Sequence, residues 1–281
     1  MDSIQHFILT RFNIRIWTQD KNGKAVRTDD WLKHRFEVFE KYCLPSILNQ
    51  TCQDFEWIVL FDSETPSEYK EKISGYKAIC PQFSPVFVKP ANGKYFRQIF
   101  RSIIIERLHA DRVVSTYFDN DDALSIRFVD DIHRRASELP NGFFLFYTSG
   151  YQYYTELGLM LRVHYKRNHF VSVIEIGQPT TLKTVFGYCG HYYIDRIPGV
   201  KIEYIEDSPV WCEVIHERNM CNDAHFLLGI KPVRDRETLR RGFGIDEDCK
   251  FSLSLLAFRF VPRYLKTFVW RAKRRVFGRK W

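Results

Sequence analysis

The first half of the chain switches repeatedly between two hydrophobic periods. The runs "HFILTRF" (6–12), "FEWIVLFD" (55–62), "SPVFVKP" (84–90), "RVVSTYFD" (112–119) and "GFFLFYT" (142–148) are short, apolar and rich in β-branched or aromatic residues, and they predict buried strands. Between them, "WLKHRFEVFEKYCLPSIL" (31–48) sets Leu32, Phe36, Phe39, Leu44, Ile47 and Leu48 at helical spacing. "SEYKEKISGY" (67–76), "YFRQIFRSIIIERLHA" (95–110) and "IRFVDDIHRRASEL" (126–139) predict three more helices. Strand and helix alternating from residue 6 to 148 predict parallel βαβ units, with helices on both faces of a sheet. After 150 the pattern loosens. "YQYYTELGLMLRVHY" (151–165) reads as a hairpin, and the stretch to about 230 as irregular, without repeats or a low-complexity linker. The expected organisation is one α/β domain over 1–257, in halves 1–125 and 126–257, followed by a distinct tail, 258–281.

Composition narrows the class. With 45% hydrophobic and 16% aromatic residues in 281, the chain makes a sizeable core and is not disordered. Seven cysteines form no CxxC pair, and the opening "MDSIQHFILTRFN" lacks a basic region followed by a long apolar core. Both features lead to the expectation of free thiols in a reducing cytosol. The net charge of +8 is unevenly spread. Nine of the 42 Lys/Arg and none of the 34 Asp/Glu fall in 258–281, so the body carries 33 bases against 34 acids. A near-neutral body argues against nucleic acid as the main partner.

The chemistry concentrates in "VVSTYFDNDDALS" (113–125). Asp119, Asp121 and Asp122 crowd the end of an apolar strand, with Asn120 between them. One Asp suffices to cap the following helix; three within four residues call for a positive charge. A hard divalent cation, Mg²⁺ or Mn²⁺, held with the phosphate oxygens of a ligand, fits carboxylates so placed. Asp62 ends another strand at the same edge, and in open α/β sheets ligands bind beyond the carboxyl ends of the strands. Arg11 and Asn13 follow the first strand at that rim, and Arg11 carries the planar fork suited to phosphate.

"ILTRFNIR" (8–15), "WIVLFDSET" (57–65), "YFDNDDAL" (117–124) and "SPVWCEVIHERNMCN" (208–222), in that order, resemble a glycosyltransferase of the GT-A type, and among these the bacterial rhamnosyltransferase family. The resemblance covers residues 4 to about 225. It implies a Rossmann-like mixed sheet with helices on both faces, a nucleotide-binding half (1–125) and an acceptor half (126–257). It implies a nucleotide-sugar donor and a glycan or lipid-linked acceptor. It implies a DxD motif in which Asp119, Asn120, Asp121 and Asp122 hold ribose hydroxyls, a Mn²⁺ or Mg²⁺ ion and the donor sugar. Asp62 would contact the base or ribose, Arg11, Asn13 and Arg97 would join the donor site, and His216 would be a further metal ligand beside Asp119 and Asp121. An inverting transfer needs a carboxylate on the acceptor side; Asp207 is the first choice, Glu206 the second, and Glu175 an outsider, while His191 and Asp195 are acceptor-side groups.

Other readings stay open at this point. Cys212, His216, Cys221 and His225 are zinc-ligand types at C-x3-H-x4-C-x3-H spacing. An aspartyl-nucleophile phosphohydrolase also places DxD after an apolar strand, but here Ala123 stands where that chemistry has Thr or Val. The tail "FRFVPRYLKTFVWRAKRRVFGRKW" predicts a basic amphipathic helix starting at Pro262, suited to an anionic membrane surface or to nucleic acid. The first of these places the enzyme in the cytoplasm, peripheral at the inner face of the plasma membrane, in surface polysaccharide synthesis.

Overall fold

The computed structural model describes residues 3–20, 23–188, 190–219, 230–262, 264–266 and 269. Four strands, β1 (Ile4–Arg11), β2 (Glu56–Asp62), β3 (Phe83–Val88) and β4 (Arg112–Tyr117), lie parallel, each pair of neighbours in the order β4-β1-β2-β3. They are joined by α1 (Asp29–Val38), which runs through a π turn (Phe39–Cys43) into α2 (Leu44–Leu48), by α3 (Ser67–Ile79), and by α4 (Phe96–Glu106). Thr28 starts α1 by accepting the Trp31 N–H on its side chain, with Asp29 and Asp30 in the first turn. These are the elements expected from the two periods.

A two-residue strand, β5 (Ala123–Leu124), follows the acid cluster and leads to α5 (Phe128–Glu138). Then come β6 (Phe143–Tyr147), the hairpin β7 (Ser149–Tyr154) and β8 (Leu159–His164), and three strands in the stretch expected to be irregular: β9 (Val171–Ile176), β10 (Lys201–Ile205) and β11 (Trp211–Ile215). The first sheet has seven strands in the order β10-β6-β9-β4-β1-β2-β3, and the second has five, in which β12 (Lys231–Pro232) ends a β12-β8-β7-β11-β5 ladder. β6 does not pair with β4, because β9 lies between them, antiparallel to both. The sheet is therefore mixed, and the two halves of the sequence share it.

Near the C-terminus a short helix, α6 (Thr238–Phe243), ends on Gly244 in the left-handed region. The last helix, α7, begins at Leu253, where the Ser252 hydroxyl accepts the Leu255 N–H at 3.0 Å. It passes through a π turn over Leu256–Phe260 and continues through Pro262, which is thus inside the helix and not its start. The widened turn explains this: the Val261 N–H reaches back to the Leu256 carbonyl, just before a residue with no N–H to give. Most of the tail, 270–281, lies outside the described residues. Among the described residues no helix is long and apolar enough to cross a membrane.

Candidate active site

The acid cluster sits where the two sheets meet. β4 delivers Asp119 to the carboxyl rim of the first sheet, and β5, four residues later, already pairs with β11 in the second. The antiparallel register of β4 and β9 matches Thr116 with Ser172 and Ser115 with Val173. Continued past the strand ends, the same register sets residue 169 opposite residue 119. His169 thereby reaches the cluster from a distant part of the chain, its Nε2 2.6 Å from Asp122 Oδ2 and 3.9 Å from Asp119 Oδ2. Phe170 beneath it is stacked on Trp211 at 4.8 Å, and the Trp211 indole donates to the Tyr147 carbonyl at 2.7 Å.

Each acid has its own partner. Asp121 Oδ2 accepts from Arg35 Nη1 at 2.7 Å, His216 Nε2 at 3.1 Å and Asn219 Nδ2 at 3.1 Å. Burial works to raise this carboxyl, but Arg35 and His216 outweigh it and hold it well below the usual carboxylate range. Asp122, fully buried, accepts the Val214 N–H at 2.9 Å on its other oxygen. Burial works to lower His169, and the Asp122 carboxylate reverses this and raises it, so one proton stays between the two at neutral pH. Asp119 is less enclosed. It accepts from the Tyr117 hydroxyl at 2.9 Å and lies 3.6 Å from Arg11.

The rim opens into a cavity of about 270 Å³ whose lining includes Arg11, Arg35, Asp119, Asp121, His169 and His191. Arg11 is fixed among Phe96, Tyr117 and Phe186, its guanidinium carbon 5.0–5.3 Å from the three ring centres. It donates to the Tyr117 hydroxyl at 2.6 Å, and its buried Nε has no partner among the described residues. Burial pushes His191 down to about 3, helped by the charges of His169 and Arg11, so it faces the cavity as a neutral ring. Trp17 and Tyr192 stand at the mouth, both exposed.

The expected site residues divide. Arg11, Asn13, Asn120, Asp119 and Asp121 line the cavity, while Asp122 lies behind it and acts through His169. Asn13 and Asn120 are braces: Asn13 accepts the Asp62 N–H and donates to Thr65, and Asn120 ties Phe12 to Arg35. Asp62 is buried and held by Arg15 at 2.7 Å, outside the lining. Arg97 is exposed on α4 and also outside it. Glu206 and Asp207 follow β10 at the same rim, but three strands from β4, roughly 14 Å by strand spacing. Asp207 is exposed and accepts from Arg135 at 2.9 Å. Glu175 accepts the N–H groups of Lys183 and Thr184, and Asp195 pairs with Arg167 at 2.6 Å, so neither enters the cavity.

Among the described residues the ligand-type atoms that lie close together share only Asp119 with the expected set. His216 Nδ1 accepts the Arg218 N–H, so its Nε2 carries the proton given to Asp121 and keeps no lone pair for a metal. Asp121 Oδ2 is already met by three donors, one of them cationic. Asp121 is thus occupied by Arg35, His216 and Asn219. Asp119, Asp122 and His169 present ligand atoms within 4.8 Å of one another, and two carboxylates with an imidazole suit Mn²⁺ or Mg²⁺. The zinc alternative does not fit: Cys212 lies inside β11 and His216 just past its end, roughly 13 Å along an extended chain. Cys221 and His225 lie outside the described residues.

Neither Arg35 nor His169 stands out in the sequence reading. Arg35 had a signal, a charged residue on the apolar face of a helix between Leu32 and Phe36. His169 had only its place before an apolar run.

Comparison with known proteins adds a family. The family described as "Putative rhamnosyl transferase" matches residues 6–224. No curated protein matches the chain. Among solved structures, Staphylococcus aureus TarS 1-349 is similar over 75% of this chain and 60% of its own, at 11% identity and a TM-score of 0.41. The same protein in complex with UDP gives 10% identity over the same shares and 0.39. A protein of Desulfovibrio desulfuricans described as a "putative nucleotide-diphospho-sugar transferase" gives 8% over 78% of this chain and 84% of its own, at 0.36. The chain thus spans about three-fifths of the TarS fragment.

Proposed function

Because the chain belongs to the rhamnosyl transferase family over residues 6–224, we propose that it moves a sugar from a nucleotide-diphosphate donor to a glycan or lipid-linked acceptor, with inversion. The reading places it in surface polysaccharide synthesis at the inner face of the plasma membrane. The observation that carries the transfer chemistry is the convergence of Asp119, His169 and Arg11 in one cavity at the carboxyl rim, with Asp122 behind them against His169.

The residues take distinct parts. Arg11, held by three rings, presents its guanidinium to a donor phosphate without having to be ordered on binding. Asp119, Asp122 and His169 would hold Mn²⁺ or Mg²⁺, which when bound neutralises the charge developing on the leaving diphosphate. His169 and Asp122 would give up their shared proton on taking a cation, so loading would release a proton. Arg35 keeps Asp121 ionised and in place, which leaves Asp119 and His169 to face the ligand. Asp207, with Glu206 beside it, is the proposed base for the acceptor hydroxyl, reaching it from the acceptor side of the rim.

Incubation with a panel of nucleotide sugars and Mn²⁺, reading released nucleotide, tests the reading. Release is expected from at least one donor, to be abolished by chelation and by the double variant Asp119→Ala/His169→Ala. That variant should also lose Mn²⁺ binding in an equilibrium titration while keeping its near-UV circular dichroism. Undiminished release from the double variant would overturn the assignment. For the base, Asp207→Asn should preserve donor affinity and lower turnover by about 10²-fold or more; normal turnover would remove Asp207 from the mechanism.

A further inference from the structure

The helix that begins at Leu253 has two apolar faces. Leu255, Leu256, Phe260 and Tyr264 pack inward on the main core, with Phe260 5.0 Å from Tyr154, ring centre to ring centre. On the other side Phe258, Val261, Leu265 and Val269 recur every three or four residues and are 77, 41, 53 and 50% exposed. Leu253, 72% exposed, begins the same helix. A helix already anchored along its inner face gains nothing in folding from a second apolar strip. Covering such side chains takes apolar surface out of water, which is favourable, so the strip is built for a partner.

Charge selects the partner. Residues 258–281 carry nine Lys/Arg and no acid on a body that is close to neutral. A second copy of the chain would bring two such basic segments together. A nucleic acid would match the charge and leave the apolar strip in water. An anionic lipid surface satisfies both features, because headgroup phosphates meet the bases while the acyl boundary takes the apolar side chains.

We infer that this face of the last helix lies on an anionic lipid surface, with Phe258, Val261, Leu265 and Val269 entering the acyl boundary. The inner face keeps the helix fixed to the domain, so the whole enzyme is held in one orientation to the bilayer. This gives the peripheral placement proposed above a defined surface. Vesicle binding and sugar transfer are read separately, so either can fail without the other.

The full chain is tested by co-sedimentation with vesicles of phosphatidylcholine alone and of phosphatidylcholine mixed with phosphatidylglycerol. Binding is expected only to the anionic vesicles, and release in high salt. The exposed double variant Phe258→Ser/Leu265→Ser should partition at least about tenfold more weakly, with unchanged near-UV circular dichroism and donor turnover. No binding, equal binding to neutral vesicles, or unchanged binding of the variant would overturn the inference. A concentration-dependent dimer in sedimentation velocity that the same substitutions abolish would also overturn it, making a second copy the occupant.

Discussion

Arg35 and His169 are the internal cations of the acid cluster, and their burial sets what their loss does. Arg35 is 4% exposed and donates to both Asn120 and Asp121. Arg35→Met would leave Asp121 ionised, buried and short of its main partner, which destabilises by about 3–5 kcal/mol. Urea unfolding at neutral pH measures this, and Arg35→Met/Asp121→Asn should recover part of the loss, since the orphaned charge goes with it. The two residues also mark the limit of reading a site from sequence. The acids declare themselves, because three carboxylates in four residues need an explanation wherever they sit. Their partners come from α1 and from the segment just before β9, and only tertiary structure places an arginine from position 35 and a histidine from 169 on acids at 119–122. His216 shows the converse. It was expected beside the acids and is there, 3.1 Å from Asp121, with its second ring nitrogen engaged by the Arg218 N–H.

Among the elements, those that alternate locally were legible: β1 to β4, the helices between them, and the hairpin of β7 and β8. β9 and β11 were not. Val171, Ser172, Val173 and Ile174 are all buried, so the strand faces core on both sides and shows no alternation. Its partners β4 and β6 are remote in sequence, and no short-range signal separates such a run from a buried loop. The packing beneath β9 is tight at one point. A Cβ on Gly150 would lie 2.1 Å from the Trp211 ring, which is stacked on Phe170 next to His169. Gly150→Ala should therefore destabilise by about 1–3 kcal/mol and, by displacing Trp211 toward Phe170, also weaken Mn²⁺ binding. Unfolding midpoints and metal titration of the same preparation check both effects; a variant with both unchanged would show that the indole has room to move.

For the molecule as a whole, the mixed order of the large sheet places one antiparallel strand beside the strand that carries the acids, and this fixes where length can change. Asp119 and His169 face each other because one ladder aligns them, whatever the chain does between. The site should therefore tolerate lengthening of that intervening segment and not of the ladder itself. Two glycines inserted after the exposed Glu156 in the turn between β7 and β8 are expected to leave nucleotide release within about threefold, since a longer surface turn adds little closure entropy. Deleting Phe170 should abolish release, because a one-residue slip turns His169 to the opposite face of the sheet. Assays of both variants, with circular dichroism to confirm folding, distinguish the two. For a lineage of such proteins, insertions can then accumulate in surface turns such as that between β7 and β8 and remodel the acceptor side, while the two ends of the ladder stay frozen in spacing.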